Sequence, residues 1–480
     1  MGLQISPRSS LARSSLVGAS LLVAVCALAV AGCASKGVTP RAAAPQTQAA
    51  VRPPASTLPQ STLQPPPPGR STLPMNQLIP GLGAQQAQPA PGQAGRPDAS
   101  GLVRVGLLVP LTGPSASIGQ ALLNAAEMAL FDVGDEHLVM QVYDSQGTPE
   151  GATRAATNAI SHGAQLLLGP LFSAEAKAAA GPAGAAGINI VAFSTDPTIA
   201  GPHVYVLGFL VQEQVRQIVA YAKGRGLSRF AVLAPNSPYG QAVVEALKRY
   251  VPASGAAVAQ VSFYEPDGKD LTEVVRSLAA FDQRKKTLES QKAELAGKED
   301  EISVAALKRL ERLETVGEVG FDTILVPEQG TRLTQAVSLL SFYDIDPGRV
   351  QMLGTLVWGD SPGLGREQVM VGGVYPAPPP DTNRQFFARY RELYGRTAPN
   401  IASHGYDALA LAAILARSGE PAPFSAASLT SLSGFAGVDG IFRFTPDGMS
   451  QRGFAIMQVT RNGAAVAQPA PTAFTPAVTN

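Results

Sequence analysis

Cysteine, histidine and tryptophan are nearly absent from this chain of 480 residues, which has two Cys, four His and one Trp. The histidines, His137, His162, His203 and His404, are scattered without ligand spacing, and the chain has no HExxH, paired CxxC or GxxxxGK. Metal and nucleotide chemistry therefore lack the residues they need, and no cofactor is expected. No histidine stands in sequence to activate Ser115, Ser117, Ser173 or Ser194, so no catalytic set is present and the chain reads as a non-enzyme. Charge of one sign is also missing. With 37 Lys and Arg against 36 Asp and Glu, the net charge is +1, which argues against nucleic acid or an anionic membrane surface as partner.

Arg8 and Arg13 precede an apolar run from Leu16 to Val30, too short and too abruptly ended to read as a spanning helix. It reads as the apolar region of an export signal over residues 1–32. The run closes on Val30-Ala31-Gly32-Cys33, which resembles the bacterial lipobox and implies lipidation at Cys33. Cys26 lies inside the removed segment, so the exported protein would have no disulfide and its membrane contact would be the lipid anchor alone. Ala34 after the cysteine resembles the pattern sent to the outer membrane, which gives an outer-membrane lipoprotein facing the periplasm.

Residues 33–101 turn to Pro, Ala, Gln, Ser and Gly, with Ser-Thr-Leu repeated at 56, 61 and 71 and Asp98 as the only acid. Such a segment buries too little apolar area to offset its conformational entropy and reads as a disordered tether. Its 67 residues after the cysteine span roughly 45 Å relaxed and roughly 200 Å drawn out.

The remaining chain alternates apolar strands with helical stretches. Expected strands are Val103–Pro110, Leu138–Tyr143, Leu166–Gly169, Ile188–Phe193, Val204–Leu207, Phe230–Ala234, Val258–Phe263, Thr323–Val326, Gln351–Gly354 and Gly372–Tyr375. This order predicts an α/β fold of parallel sheets with helices on both faces, in two lobes. Three loops that follow strands stand out: Pro110-Leu111-Thr112-Gly113-Pro114-Ser115, Gly169-Pro170-Leu171-Phe172-Ser173 and Phe193-Ser194-Thr195-Asp196-Pro197. Each offers hydroxyls and backbone N–H groups at a strand's carboxyl end, where open α/β sheets bind small ligands.

The succession of Val105-Gly106-Leu107-Leu108-Val109-Pro110-Leu111-Thr112-Gly113-Pro114, Gly169 to Ser173, Ser194-Thr195-Asp196-Pro197, Pro238-Tyr239-Gly240 and Gly437, Gly440, Phe444, Gly448 resembles the type 1 periplasmic-binding fold of leucine- and amide-binding proteins. The resemblance implies a domain over residues 102–466: lobe 1 from about 102–209 and 354–443, lobe 2 from about 210–353 and 444–466, and a flexible tail at 467–480. It makes Thr112, Ser115, Ser173, Ser194, Thr195, Tyr239, Glu328 and Trp358 candidates for a ligand cleft, with Ser173 and Thr195 on the ligand's carboxylate and ammonium; the alternative for these two is helix capping. Where that family carries a glutamate for the ammonium, this chain has Leu356, and Leu325 stands in place of an aromatic; Glu328 or Asp360 would have to supply the charge.

Val142-Tyr143-Asp144-Ser145, Gly163-Ala164 and Leu168-Gly169-Pro170-Leu171 further resemble the binding-protein-like domain of lipoproteins that activate penicillin-binding proteins. That likeness implies an inner-membrane penicillin-binding protein, a peptidoglycan synthase, as partner. The alternative is the solute-binding component of an ABC importer for amino acids or similar small polar ligands. Belonging to neither pattern, residues 282–314 are nearly half charged, with Leu288, Leu295 and Ile302 at heptad spacing, and read as one or two solvated helices broken near Gly297.

Overall fold

The computed structural model describes residues 101–361 and 363–474. The export signal, Cys33 and the tether lie outside the described residues. The chain enters lobe 1 through β1 (Val103–Val109), α1 (Ala116–Val133), β2 (Leu138–Asp144), α2 (Pro149–Ser161), β3 (Leu166–Leu168), α3 (Ser173–Ala185), β4 (Asn189–Ala192) and β5 (Val204–Val206). The five strands form one parallel sheet in the order β2-β1-β3-β4-β5. The interior strands are runs of Val, Leu and Ile because helices cover both faces. One covering layer is built on alanine: Ala152, Ala155, Ala156 and Ala159 of α2 meet Ala176, Ala179 and Ala183 of α3. The close approach includes the sheet, since a Cβ on Gly106 would stand 2.9 Å from that of Ala159.

Lobe 2 follows with α4 (Val211–Gly224), β6 (Arg229–Pro235), α5 (Pro238–Ala253), β7 (Ala257–Tyr264), α6 (Leu271–Leu278), α7 (Phe281–Leu295), α8 (Glu301–Leu310), β8 (Thr323–Leu325), α9 (Gly330–Phe342), β9 (Gln351–Leu353) and β10 (Val374–Ala377). Its parallel strands run β7-β6-β8-β9-β10, which repeats the order of lobe 1 strand for strand. In each lobe the first strand sends its successor to one side and the rest to the other. The crevice left at that reversal, between β1 and β3 in lobe 1 and between β6 and β8 in lobe 2, is where such sheets receive ligands.

The chain then recrosses to lobe 1 for α10 (Pro380–Tyr394), α11 (Ala402–Ala416), α12 (Ala426–Leu429) and a small antiparallel sheet of β11 (Phe435–Gly437), β12 (Gly440–Phe444) and β13 (Ser450–Arg452), and returns to lobe 2 for β14 (Ala455–Thr460) and β15 (Gly463–Gln468). Nearly all of α11 is buried, so apolar and small residues surround it, with Ser403, His404 and Asp407 as buried exceptions, and it shows little helical periodicity. It lies with α1 in the lobe 1 core, beside Phe386 and Tyr390 of α10 and Phe435, Phe442 and Phe444 of the small sheet.

Three boundaries differ from expectation. Strand β10 pairs with β9 and with β14, so lobe 2 runs on past residue 354 and the recrossing falls at Ala377–Pro380. Phe444 and Arg452 still belong to the lobe 1 sheet, which moves the last crossing to 452–454. The expected tail is partly structured. Residues up to Gln468 lie in β15, Ala470 packs on the lobe 2 core, and Phe474 sits under the Arg443 guanidinium, 4.5 Å from ring centroid to Cζ.

The charged insertion is a helical hairpin, α7 and α8, turning around Gly297. Its heptad pattern does not make a seam: Leu288 is buried, but Ile302 is 83% exposed. The hairpin is rooted at its base, where Phe281 meets Tyr343 edge to face at 5.1 Å and Arg284 donates to Asp344 at 3.0 Å.

Candidate functional site

Lobe 1 presents the loops after β1, β2, β3 and β4. Asp144, the last residue of β2, organises the first. Its carboxylate accepts the N–H of Leu111 at 2.8 Å and of Gln146 at 2.8 Å, and the Thr112 hydroxyl at 2.6 Å. Against a desolvation penalty, these bonds hold the Asp144 carboxyl below its usual range. Thr112 is thereby committed to a carboxylate within its own lobe. Ser115 stands at the start of α1 and makes no capping hydrogen bond.

The second and third loops meet at Asp196. Ser194 is buried and accepts the Asp196 N–H at 3.1 Å, while the Asp196 carboxylate takes the Thr198 N–H at 2.9 Å and the Thr198 hydroxyl at 2.7 Å. Burial would raise this carboxyl. The bonds from Thr198 and the nearby Lys177 charge, with a smaller effect of Ser173, outweigh it and hold the carboxyl below its usual range. Ser173 is the first residue of α3, whose N-cap is Phe172, so its hydroxyl is not the cap. It stands beside the Asp196 carboxylate, which belongs to the chain. Thr195 is exposed beside it.

In lobe 2, β6 ends at Pro235 and Ser237 caps α5 by accepting the Gly240 N–H at 3.2 Å. That cap places Tyr239 at the sheet's reversal point, where its hydroxyl meets the Thr355 hydroxyl at 2.6 Å. Burial, with the charge of Glu328 added, pushes the Tyr239 phenol up to about 12 despite the Thr355 bond. Glu328 follows β8 and accepts the Tyr264 hydroxyl at 2.7 Å. Tyr264, at the end of β7, is raised by burial and by that carboxylate, so both phenols stay neutral donors at neutral pH. The N–H of Leu356, next to Thr355, donates to Gln214 at 3.0 Å.

Trp358 is not in the cleft. It is fully buried in the lobe 2 core, donates from Nε1 to the Val326 carbonyl at 2.9 Å, and packs on Tyr375. Gly354 and Gly373 exist to admit it, since a Cβ on Gly354 would come within 2.1 Å of the indole. Asp360 also turns aside: it accepts Asn400 of lobe 1 at 2.6 Å, a hydrogen bond between the lobes outside their crossings, and burial raises its carboxyl against that bond.

Seven of the eight candidates are thus at the strand ends, in two groups: Thr112, Ser115, Ser173, Ser194 and Thr195 on lobe 1, and Tyr239 and Glu328 on lobe 2. Thr355, Tyr264, Asp144 and Gln214 were not among the sequence candidates for the site, Asp144 having entered only as part of the Val142–Ser145 motif. A terminal Asp or Tyr at each strand's carboxyl end is the signal that marks the second and third of these. Among the described residues no group of three or more His, Cys, Asp or Glu is placed to hold a metal ion.

This fold has many solved counterparts. A crystal structure assigned to a branched-chain amino acid ABC transporter of Rhodospirillum rubrum is 17% identical, with a TM-score of 0.59 over 76% of this chain and 99% of that one. An ABC transporter substrate-binding protein of Desulfitobacterium hafniense, solved in complex with Leu, is 19% identical, with a TM-score of 0.52 over 76% of this chain and 99% of that one. Among curated sequences, a Leu/Ile/Val-binding protein of Rhizobium johnstonii is 24% identical over 185 residues, 35% of this chain and 49% of the relative. The chain spans about half the length of the curated relatives it matches. The sequence model of the periplasmic binding protein family matches residues 102–464. With its duplicated parallel sheets, its strand-end loops and that match over three quarters of its length, this chain belongs to the periplasmic binding protein family, which binds rather than catalyses.

Proposed function

We propose that this chain is an outer-membrane lipoprotein, anchored at Cys33, whose two-lobed domain acts in the periplasm as an activator or scaffold of an inner-membrane peptidoglycan synthase. One observation carries the reading. The Asp196 carboxylate stands beside Ser173, the hydroxyl that would hold a ligand's carboxylate, and the position that would neutralise an ammonium is Leu356. An incoming carboxylate would meet Asp196, and like charges at close range near a protein surface disfavour binding by about 1–4 kcal/mol. A free α-amino acid is a poor occupant of such a cleft.

The periphery supports an interaction role. The hairpin α7–α8 projects from lobe 2 with Ile302 and Val304 exposed, and Phe342, near its root, is 73% exposed. A tether reaching roughly 200 Å when extended suits a domain that must cross from one membrane to a partner in the other.

A second reading keeps the cleft as a solute site. Glu328, flanked by the Tyr239 and Tyr264 hydroxyls, offers a carboxylate to a cationic group, and the similar proteins named above are transporter components. Deleting residues 282–314 separates the two. The activator reading expects loss of crosslinking to penicillin-binding proteins and heightened sensitivity of cells to cell-wall antibiotics, with the domain still folded and melting cooperatively. Wild-type behaviour in both assays supports the solute-binding reading instead.

A further inference from the structure

Four titratable side chains that neither wall of the cleft uses are buried together where the connections between the lobes pass. Arg452 ends β13, immediately before the last crossing, and is 1% exposed. Its Nη2 donates to the Leu207 carbonyl of the first crossing at 2.8 Å, and its guanidinium lies over the rings of Phe209, 4.8 Å away, and Phe442, 5.1 Å away. Its Nη1 stands 3.9 Å from Asp407 Oδ2, and neither that oxygen nor Arg452 Nε or Nη1 has a hydrogen-bond partner. Asp407, on α11, uses only its other oxygen, which accepts the Val438 N–H at 2.7 Å.

The other members close the group. Asp439, in the turn between β11 and β12, accepts Ser403 at 2.6 Å and Asn383, just past the second crossing, at 2.9 Å. His404 Nδ1 is 4.0 Å from Asp439, and its ring meets Phe209 edge-on at 4.8 Å. Behind Gln217, which bonds the Arg452 carbonyl, Glu213 and Arg216 form a balanced pair at 2.5 Å. All three crossings therefore touch this cluster: the first through Leu207 and Phe209, the second through Asn383, the third through Arg452 itself.

Fully ionised, the two aspartates and one guanidinium leave an uncompensated negative charge inside the protein, which burial opposes. Burial and the neighbouring Asp439 charge raise the Asp407 carboxyl, burial raises that of Asp439, and burial beside Arg452 keeps His404 neutral. Asp407 Oδ2 and Arg452 Nη1 pair by charge at 3.9 Å without a hydrogen bond, while Nη2 is spent on Leu207 and the guanidinium face on Phe209. Once both acids are charged, the free Nη1 is drawn toward Asp407 and away from the Leu207 carbonyl, and the first crossing loses its anchor.

We propose that Arg452, Asp407 and Asp439 form a proton-sensitive pin at the pivot of the two lobes, which fixes the lobe arrangement when the cluster holds a proton and frees it when the proton leaves. The proposal does not depend on which partner or solute the protein serves. Pulsed dipolar spectroscopy on the full chain tests it, with Cys26 and Cys33 changed to Ser and spin labels on Thr157→Cys in lobe 1 and Lys248→Cys in lobe 2. From pH 5.5 to pH 8.5 the distance distribution should broaden or shift. Asp407→Asn, which cannot ionise, should keep the narrow low-pH distribution throughout, and Arg452→Met, read the same way, should lose the pH response. An unchanging distribution in the parent protein, which needs no folded variant, overturns the proposal. An Asp407→Asn protein that responds to pH as its parent does also overturns it.

Discussion

Trp358 is the only tryptophan in the chain, so one substitution and one spectrum decide whether it belongs to the core or to a cleft. Trp358→Phe removes the pyrrole half of the indole and with it the donor to the Val326 carbonyl. A buried acceptor left alone costs about 1–3 kcal/mol. The lost ring atoms leave a space of roughly 40 Å³ between Gly354, Gly373 and Tyr375, which at about 24 cal/mol per Å³ adds about 1 kcal/mol. The total, about 2–4 kcal/mol, lowers Tm by roughly 5–15 °C for a folding unit of the size of lobe 2, where each kcal/mol moves Tm by about 2–4 °C. Calorimetry of the two proteins measures the shift. Emission of the parent protein checks the placement: a buried indole emits at short wavelength and resists iodide quenching until the domain unfolds. A Trp358→Phe protein that melts within 2 °C of its parent, or an iodide-quenched native emission, would refute the core assignment.

Asp144→Asn should destabilise lobe 1 by about 1–2 kcal/mol at pH 7 by weakening the bonds from Thr112, Leu111 and Gln146. Because the native carboxyl titrates below its usual range, its contribution is present above the unfolded pKa and is lost as pH falls, so parent and variant should converge in urea melts near pH 3. His404 works over a different window: burial lowers its folded pKa, so stability is complete above the unfolded value near 6.5 and declines below it, and His404→Gln should flatten that acid limb of a Tm-against-pH curve. Gly354→Ala should prevent the lobe 2 core from closing on Trp358, with loss of soluble protein or a red-shifted native emission as the readout.

The fold was legible because the buried parallel strands carry apolar runs bounded by Gly and Pro; each of the ten expected strands is found, within two residues at either end. What escaped was whatever lacks periodicity or pairs at long range. Helix α11 is buried on all sides and so shows no polar face, and the return of β10 to lobe 2 rests on partners at Gln351–Leu353 and Ala455–Gln458 that local sequence does not reveal. The candidate site was half legible. Hydroxyls and a tyrosine at strand ends were the candidates, but their present partners, Asp144 for Thr112 and Thr355 for Tyr239, depend on side-chain directions. Trp358 misled for the same reason: its neighbours in sequence are at a strand end, while its ring turns inward beneath Gly354.

Calorimetric titration of the full chain, first unfolded and refolded to strip bound solute, against leucine, isoleucine, valine and glutamate tests the central claim most directly. If Asp196 repels a ligand carboxylate and Leu356 leaves an ammonium without a counter-charge, no heat of binding and no rise in Tm are expected at millimolar amino acid. A ligand at 100 times its Kd would contribute about 2.7 kcal/mol and be plain in the melting curve. Saturable binding of any one of the four at micromolar concentration, abolished by Ser173→Ala, would contradict the account and make the cleft a transport site.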